Sequence, residues 1–221
     1  MKIVKQSLDA LAEALVDVSA PTAIHDAATI RDVHIADSLA GLEVPAVREA
    51  GRMADLGSGA GLPGLVLAIA RPEAEVVLVE SVGKKCAWLE GVVAELGLEN
   101  VRVACARAEA LDERPFDVVT ARALAALPVL CEYAAPLLRE GGALVAWKGA
   151  IDADEEADGL HAAGVLGLER AEVRAVVPYQ GSERRTLHVF RKVAGTPPGY
   201  PRRPGMAAKR PLTAPGIRRG R

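Results

Sequence analysis

The segment best equipped for chemistry is Asp55-Leu56-Gly57-Ser58-Gly59-Ala60-Gly61-Leu62-Pro63-Gly64. Closely spaced glycines let the backbone turn tightly and let a ligand approach the main chain. The apolar run that follows, Leu65 to Ile69, reads as a helix whose free N–H groups face an anionic ligand group. Gly59-x-Gly61-x-x-Gly64 satisfies the dinucleotide fingerprint, which alone is a weak signal. Two acids sharpen it. Asp55 stands two residues before Gly57, where it can pair with a cationic amino-acid head group but would repel a pyrophosphate. Glu80 ends a predicted strand 23 residues after Gly57, where a carboxylate can accept both ribose hydroxyls. Nicotinamide enzymes use the same acid, so Glu80 supports a ribose without choosing the cofactor. Together the two favour S-adenosylmethionine over NAD, with Asp55, Gly57, Gly59, Gly61 and Glu80 as cofactor-binding candidates.

The elements that must hold these residues follow from apolar spacing. Residues 6–18 carry helical spacing (Leu8, Leu11, Leu15, Val16), and 29–42 predict a second short helix. After Gly51, strands are predicted at 52–56, 75–80, 101–105, 116–120, 142–147, 171–177 and 185–192. Helices fall between them at 62–70, 84–96, 123–138 and 152–163, with one turn near 107–111. Such alternation gives a mostly parallel sheet covered on both faces. Gln180-Gly181-Ser182-Glu183 predicts a closing hairpin and an antiparallel edge. The expected fold is α/β, a Rossmann-like seven-stranded mostly parallel sheet of the class I S-adenosylmethionine-dependent methyltransferase type. It divides into a short N-terminal helical cap (1–50), a methyltransferase domain (51–193) and a basic Pro/Gly-rich tail (194–221).

Composition bounds the partners. The 221 residues are half hydrophobic and a quarter charged, which fits one domain with a packed core and excludes a disordered chain. No apolar run is long enough to span a bilayer, and Met1 to Asp9 lacks a signal-peptide core, so a cytoplasmic protein without membrane contact is expected. Cys86, Cys105 and Cys131 give an odd count without CxxC spacing, which argues against a disulfide scaffold or a zinc site and for a reducing compartment. The net charge of −2 at first argues against a nucleic-acid partner. Resolved along the chain, it becomes −11 on the body and +9 from Arg191 onward, a segment without a single Asp or Glu. That tail reads either as a solvated end or as a phosphate-contacting arm.

If a methyl group is transferred, what is missing narrows the acceptor. Exocyclic-amine methylation needs an Asn/Asp-Pro-Pro-aromatic turn after strand four, where this chain has Thr120-Ala121-Arg122-Ala123-Leu124. Carbon-5 pyrimidine methylation needs a nucleophilic Cys. Here Cys86 and Cys131 fall inside predicted helices and read as small buried hydrophobes. An intrinsically nucleophilic acceptor remains. Guanine N7 has a free lone pair and needs no base, so the enzyme contributes position and electrostatics.

Five segments together are similar to one family, the ribosomal RNA small subunit methyltransferase G family, also called glucose-inhibited division protein B. They are HIADSL (34–39), DLGSGAGLPG (55–64), ESVGKKCAWLE with ENVRVACARAE (80–109), FDVVTARALA with VAWKG (116–149) and YPRRPGMAAKRPL (200–212). The resemblance implies methylation of a guanine N7 in 16S ribosomal RNA with S-adenosylmethionine. It implies that Gly57 and Leu62 line the cofactor loop, that Ala108 and Glu109 flank the adenine, and that Arg122 reaches cofactor or target base. Arg107 and Lys148 match positions facing the active-site mouth, so Arg122, Lys148 and Arg107 are the catalytic candidates. Arg202, Arg203, Lys209 and Arg210 of the tail are the RNA-binding candidates, and no metal is expected.

Arg122 and Lys148 follow strands at the carboxyl edge, where open parallel sheets bind ligands. Arginine can orient a guanine through O6 or hold a phosphate, but beside N7 its charge disfavours the cationic product, so it is not read as a base. His34 is expected to pack or hydrogen-bond rather than catalyse. Val33 stands where the family carries an Arg. The expected partner is 16S ribosomal RNA or the small ribosomal subunit, met by a monomer. A small-molecule methyltransferase and an RNA-binding module without catalysis stay open as alternatives.

Overall fold

The computed structural model describes residues 2–216. α1 (Lys2–Val16) buries Leu11 and Leu15 completely. Residues 27–43 form one unbroken helical run whose hydrogen-bonding changes along its length. An α turn (Ala27–Thr29), capped by the Asp26 carboxylate, passes into a π-helical stretch (Ile30–Ala36). An α turn (Asp37–Leu39) and a 3-10 turn (Ala40–Glu43) complete it. α2 (Pro45–Glu49) then feeds the sheet.

The sheet region runs β1 (Arg52–Leu56), α3 (Gly64–Ala70), β2 (Glu75–Glu80), α4 (Gly83–Glu95), β3 (Val101–Cys105) and β4 (Phe116–Arg122). It continues with α5 (Leu127–Ala134), β5 (Leu138–Lys148), α6 (Ala153–Val165), β6 (Leu168–Val176) and β7 (Arg185–Lys192). Strand order is β3-β2-β1-β4-β5-β7-β6, parallel except for β7, which is antiparallel to both neighbours. β1 is buried along its whole length, as a central strand covered on both faces must be. Successive β4 residues serve opposite faces: Val118 joins the core shared with α1 and α3, and Val119 joins the core shared with α5 and α6. The seven-stranded, mostly parallel sheet expected from the strand–helix alternation is the observed one.

Local departures have physical causes. The helix predicted over 123–138 is confined to Leu127–Ala134, because Pro128 sits in its first turn and Ala123 adopts φ +53°, outside helical space. β5 begins at Leu138 rather than 142, since Leu138 pairs with Phe116 across an irregularity in register. Cys86 and Cys105, expected as unpaired thiols, are joined in a disulfide. The first turn of α4 and the end of β3 meet at one sheet edge, a proximity that cysteine counting cannot reveal. Cys131 alone fits the inert reading. It is fully buried, and burial pushes its thiol up to about 12.

The tail departs most. Composition pointed to a solvated or RNA-bound arm, yet residues 197–214 fold back as a strap over α5 and α6. Tyr200 and Leu212 pack on the second core, α7 (Met206–Lys209) buries Ala207, and Ala214 N–H donates to the Asp158 carboxylate. Arg218, Arg219 and Arg221, which contribute to the tail's charge, lie outside the described residues.

Candidate active site

The sheet reverses its strand order between β1 and β4, the place where open α/β sheets form a crevice at their carboxyl ends. The glycine loop crosses this point. Gly57, at φ +64°, takes a left-handed conformation and approaches Leu124 so closely that an added Cβ would lie 2.5 Å from Leu124 Cδ1. Glu80 braces the loop from β2. Its Oε2 accepts from Gly59 N–H at 3.1 Å, and its Oε1 accepts from Ser81 and Val82 N–H at 2.7 and 2.9 Å. Gly61 and Leu62 form the buried underside of the loop.

Asp55 faces inward rather than into the crevice. It is 1% exposed, accepting from the Thr120 hydroxyl at 2.8 Å and from Gly64 N–H at 3.2 Å. In this arrangement it supports the loop from beneath, and the expected pairing with a cationic head group is not made by an exposed carboxylate. Burial pushes its carboxyl up to about 6, against opposing hydrogen bonds from Thr120, Ser58 and Gly64. The folded chain therefore holds this proton more tightly than the unfolded chain, where Asp titrates near ~3.9. Stability from that proton is complete below the unfolded value and is lost as pH rises to about 6. Asp55→Asn should remove this slope. Urea unfolding of both proteins from pH 4 to 7 should show the wild type losing stability relative to the variant across ~pH 4–6, and parallel curves would refute the assignment.

Gly64 has ordinary backbone angles, but a Cβ there would meet Leu78 Cδ2 at 2.4 Å and the Asp55 side chain at 2.8–2.9 Å. Gly64→Ala should thus destabilise the fold by ~1–3 kcal/mol through overpacking, read as a lower urea midpoint. An unchanged midpoint would mean that the loop's packing is loose.

Beside the loop lies a cavity of about 90 Å³ lined by Gly57, Val79, Ser81, Ala106, Arg107, Ala108, Glu109, Leu124 and Tyr133. Leu124 lines this cavity and is the side chain that a Cβ at Gly57 would meet. The residues suit S-adenosylmethionine. Ala106 to Ala108 present main chain and Glu109, half-buried at a 3-10 turn, presents a carboxylate, whereas Glu80 is buried, lies outside this lining and already accepts three backbone N–H groups. Arg107 is exposed at the rim of the same cavity.

A second cavity of about 360 Å³ is lined by Val33, His34, Arg122, Ala123, Trp147, Lys148, Gly149 and Arg185. Its floor is a charge cluster. Asp37, fully buried, accepts from Arg122 at 2.8 Å and faces Arg185 Nε at 2.7 Å, so one carboxylate holds two guanidiniums. Arg122 also donates to Val33 O, and the Trp147 indole N–H donates to Asp37 O at 2.8 Å. His34 bonds the Thr22 hydroxyl at 2.9 Å and lies 3.5 Å from Arg122. Burial first, then the Arg122 charge, lower its pKa to about 4, so it is a neutral hydrogen-bonding ring at physiological pH. Lys148 is engaged internally. It pairs with Glu155 at 2.6 Å and donates to Ala125 O, while Glu155 also accepts from Leu127 N–H. These bonds pin the segment 123–126 that divides the two cavities.

The structure thus gathers Gly57, Ala108, Glu109 and Arg107 around one cavity, and Arg122 and Lys148 around its neighbour. It does not bring the tail candidates there as a group. Arg202 is spent on Glu132, whereas Arg203, Lys209 and Arg210 are exposed. Sequence reasoning missed Asp37 as the anchor of Arg122, although HIADSL contains it. It missed Arg185 entirely, since an Arg-Arg pair after a hairpin resembles a solvated turn.

Comparison with known proteins shows the family and the fold. Residues 6–185 match the family model for rRNA small subunit methyltransferase G. A ribosomal RNA small subunit methyltransferase G of Rubrobacter xylanophilus is 47% identical over 83% of this chain and 73% of its own length. Those of Desulfitobacterium hafniense and Moorella thermoacetica are 42% and 40% identical over 81% and 86% of this chain, and 76% and 82% of their own lengths. Among solved structures, a mutant of MtNAS in complex with S-adenosylmethionine aligns at TM-score 0.59 and 18% identity, covering 87% of this chain and 77% of that one. An O-methyltransferase family protein from Burkholderia thailandensis aligns at TM-score 0.54 and 18% identity, covering 86% and 61%. These structural likenesses show the fold.

Proposed function

This chain belongs to the rRNA small subunit methyltransferase G family, and from that premise we propose that it transfers a methyl group from S-adenosylmethionine to N7 of a guanine in 16S ribosomal RNA. The observation that carries the reading is the pair of adjoining cavities at the switch point, one edged by Ala108 and Glu109, the other by Arg122, Arg185 and His34. Only the segment after β4 separates them. The same reading has the protein act as a monomer in the cytoplasm, where small ribosomal subunits are found.

S-adenosylmethionine supplies an electrophilic methyl on a sulfonium. The chain's own residues supply position and field. Glu109 would accept the adenine amino hydrogens, and Glu80, which braces the glycine loop, has one acceptor site left for a ribose hydroxyl. Arg122 and Arg185, their charge shared with Asp37, offer donors to guanine O6 and to a neighbouring phosphate. The Asp37 carboxylate keeps the floor from carrying two uncompensated positive charges beneath a base that becomes cationic on methylation. Neutral His34 adds a hydrogen bond without adding charge. No side chain need remove a proton from N7 before attack, so the rate rests on alignment and electrostatics.

Labelled methyl transfer to naked 16S RNA and to intact 30S particles, followed by nucleoside analysis, tests the proposal. Label in N7-methylguanosine is the expected result. Label at another position would overturn the N7 assignment, and no transfer to either substrate despite measurable cofactor binding would overturn the enzyme reading.

A further inference from the structure

We infer that Arg202 is a positioning residue for the cofactor site, acting through the C-terminal strap on Glu109; the inference rests on the reading that Glu109 faces the adenine. The chain of contacts begins at Glu132 on α5, which is completely buried. A buried carboxylate needs a charged, hydrogen-bonded partner. Arg202 supplies it, with Nε at 2.9 and 3.1 Å from the two oxygens, Nη2 at 2.5 Å, and its own backbone N–H at 3.0 Å. This fastens the strap at one point. Three residues later Gly205, at φ +82°, turns the chain so that its N–H donates to Glu109 Oε1 at 2.8 Å. Tyr133, next to Glu132 on α5, lines the adenine-side cavity close to Glu109, and burial first, then the Glu109 charge, push its phenol pKa up.

Glu109 is therefore held by a backbone donor of the strap and flanked by Tyr133, both tied to the Glu132 segment. An ionised carboxylate has about four acceptor sites, so this donor leaves sites for an amino group while fixing the side chain's direction. Without the strap, Glu109 would stand half-buried on a 3-10 turn with one fewer restraint, and a ligand would have to order it on binding, which weakens affinity. The exposed cations of the same segment, Arg203, Lys209 and Arg210, take no part in this route. The strap thus separates two tasks by residue: Arg202 serves the cofactor, and its basic neighbours remain available to phosphate.

The test uses the full chain and measures the Kd of S-adenosylhomocysteine and of 16S RNA by calorimetry, with KM and kcat for S-adenosylmethionine. Glu132→Gln/Arg202→Gln removes both charges together, so no buried carboxylate is stranded. Arg202→Lys keeps the charge but cannot bridge both oxygens, and it stands as the milder variant should the double one fail to fold. The expected result is a rise of about tenfold in Kd and KM for the double variant and a smaller rise for Arg202→Lys, with kcat at saturation and RNA affinity retained. Replacing Arg203, Lys209 and Arg210 by Ala should do the reverse. In the wild type, the Gly205 amide should exchange more slowly once S-adenosylhomocysteine is bound. Unchanged cofactor affinity in the Arg202 variants, or lost RNA affinity instead, overturns the inference. Glu109→Ala separates the two levels. If it leaves cofactor affinity intact, the reading of Glu109 fails, and if it weakens affinity while the Arg202 variants do not, only the role of Arg202 fails.

Discussion

Arg122→Ala will lower kcat/KM for RNA methylation by about 10²–10³-fold while leaving the protein folded. The size follows from where the guanidinium sits. It ends β4 between the two cavities, held by Asp37 and by Val33 O, and it is only slightly exposed. Truncation removes a prepositioned donor from the place where the target base is proposed to lie. It does not strand Asp37, because Arg185 keeps its ion pair with the other carboxylate oxygen. Circular dichroism and a urea titration should therefore stay close to wild type while label incorporation collapses. Unchanged turnover would remove Arg122 from the site, and a collapse in stability would make it a structural residue.

Asp37→Ala should do more damage, to stability as well as to transfer. One fully buried carboxylate neutralises two guanidiniums, and removing the single partner of buried charge costs about 3–5 kcal/mol. Both arginines would then repel each other at the cavity floor and turn towards solvent. Methyl transfer should be lost even at temperatures where the variant remains folded. The urea midpoint and label incorporation together check this. A variant with wild-type stability would show that water replaces the carboxylate at no cost.

The two halves of the site differ in how openly the sequence declares them. The glycine loop and Glu80 belong to one local pattern, a strand running into a turn, a helix and a second strand, and each step has its own signal in residue type. The charge cluster has no such signal. Asp37 and Arg122 are 85 residues apart in the chain, and their meeting depends on how the helical run 27–43 docks on the sheet. Asp55 is legible as a residue at the loop, but the direction of its side chain, beneath the loop to Thr120, is not. Cys86 and Cys105 were misjudged for a similar reason. The tail was the largest misreading. Its Pro, Gly and Arg content looked like a free arm, whereas the binding partner of Arg202, Glu132, lies 70 residues earlier inside an apolar helix.

That same contact has a temporal meaning. During synthesis α5 leaves the ribosome well before the strap does, so Glu132 waits in the nascent chain for an arginine that has not yet been made. The bonds from Arg202 to Glu132 and from Gly205 to Glu109 span 70 and 96 residues, the kind of long closure that forms late in folding. The sheet can assemble first, and Glu109 meets its strap donor only when residues 197–214 arrive. A product truncated before the strap would own every strand of the fold and leave Glu109 without its Gly205 donor.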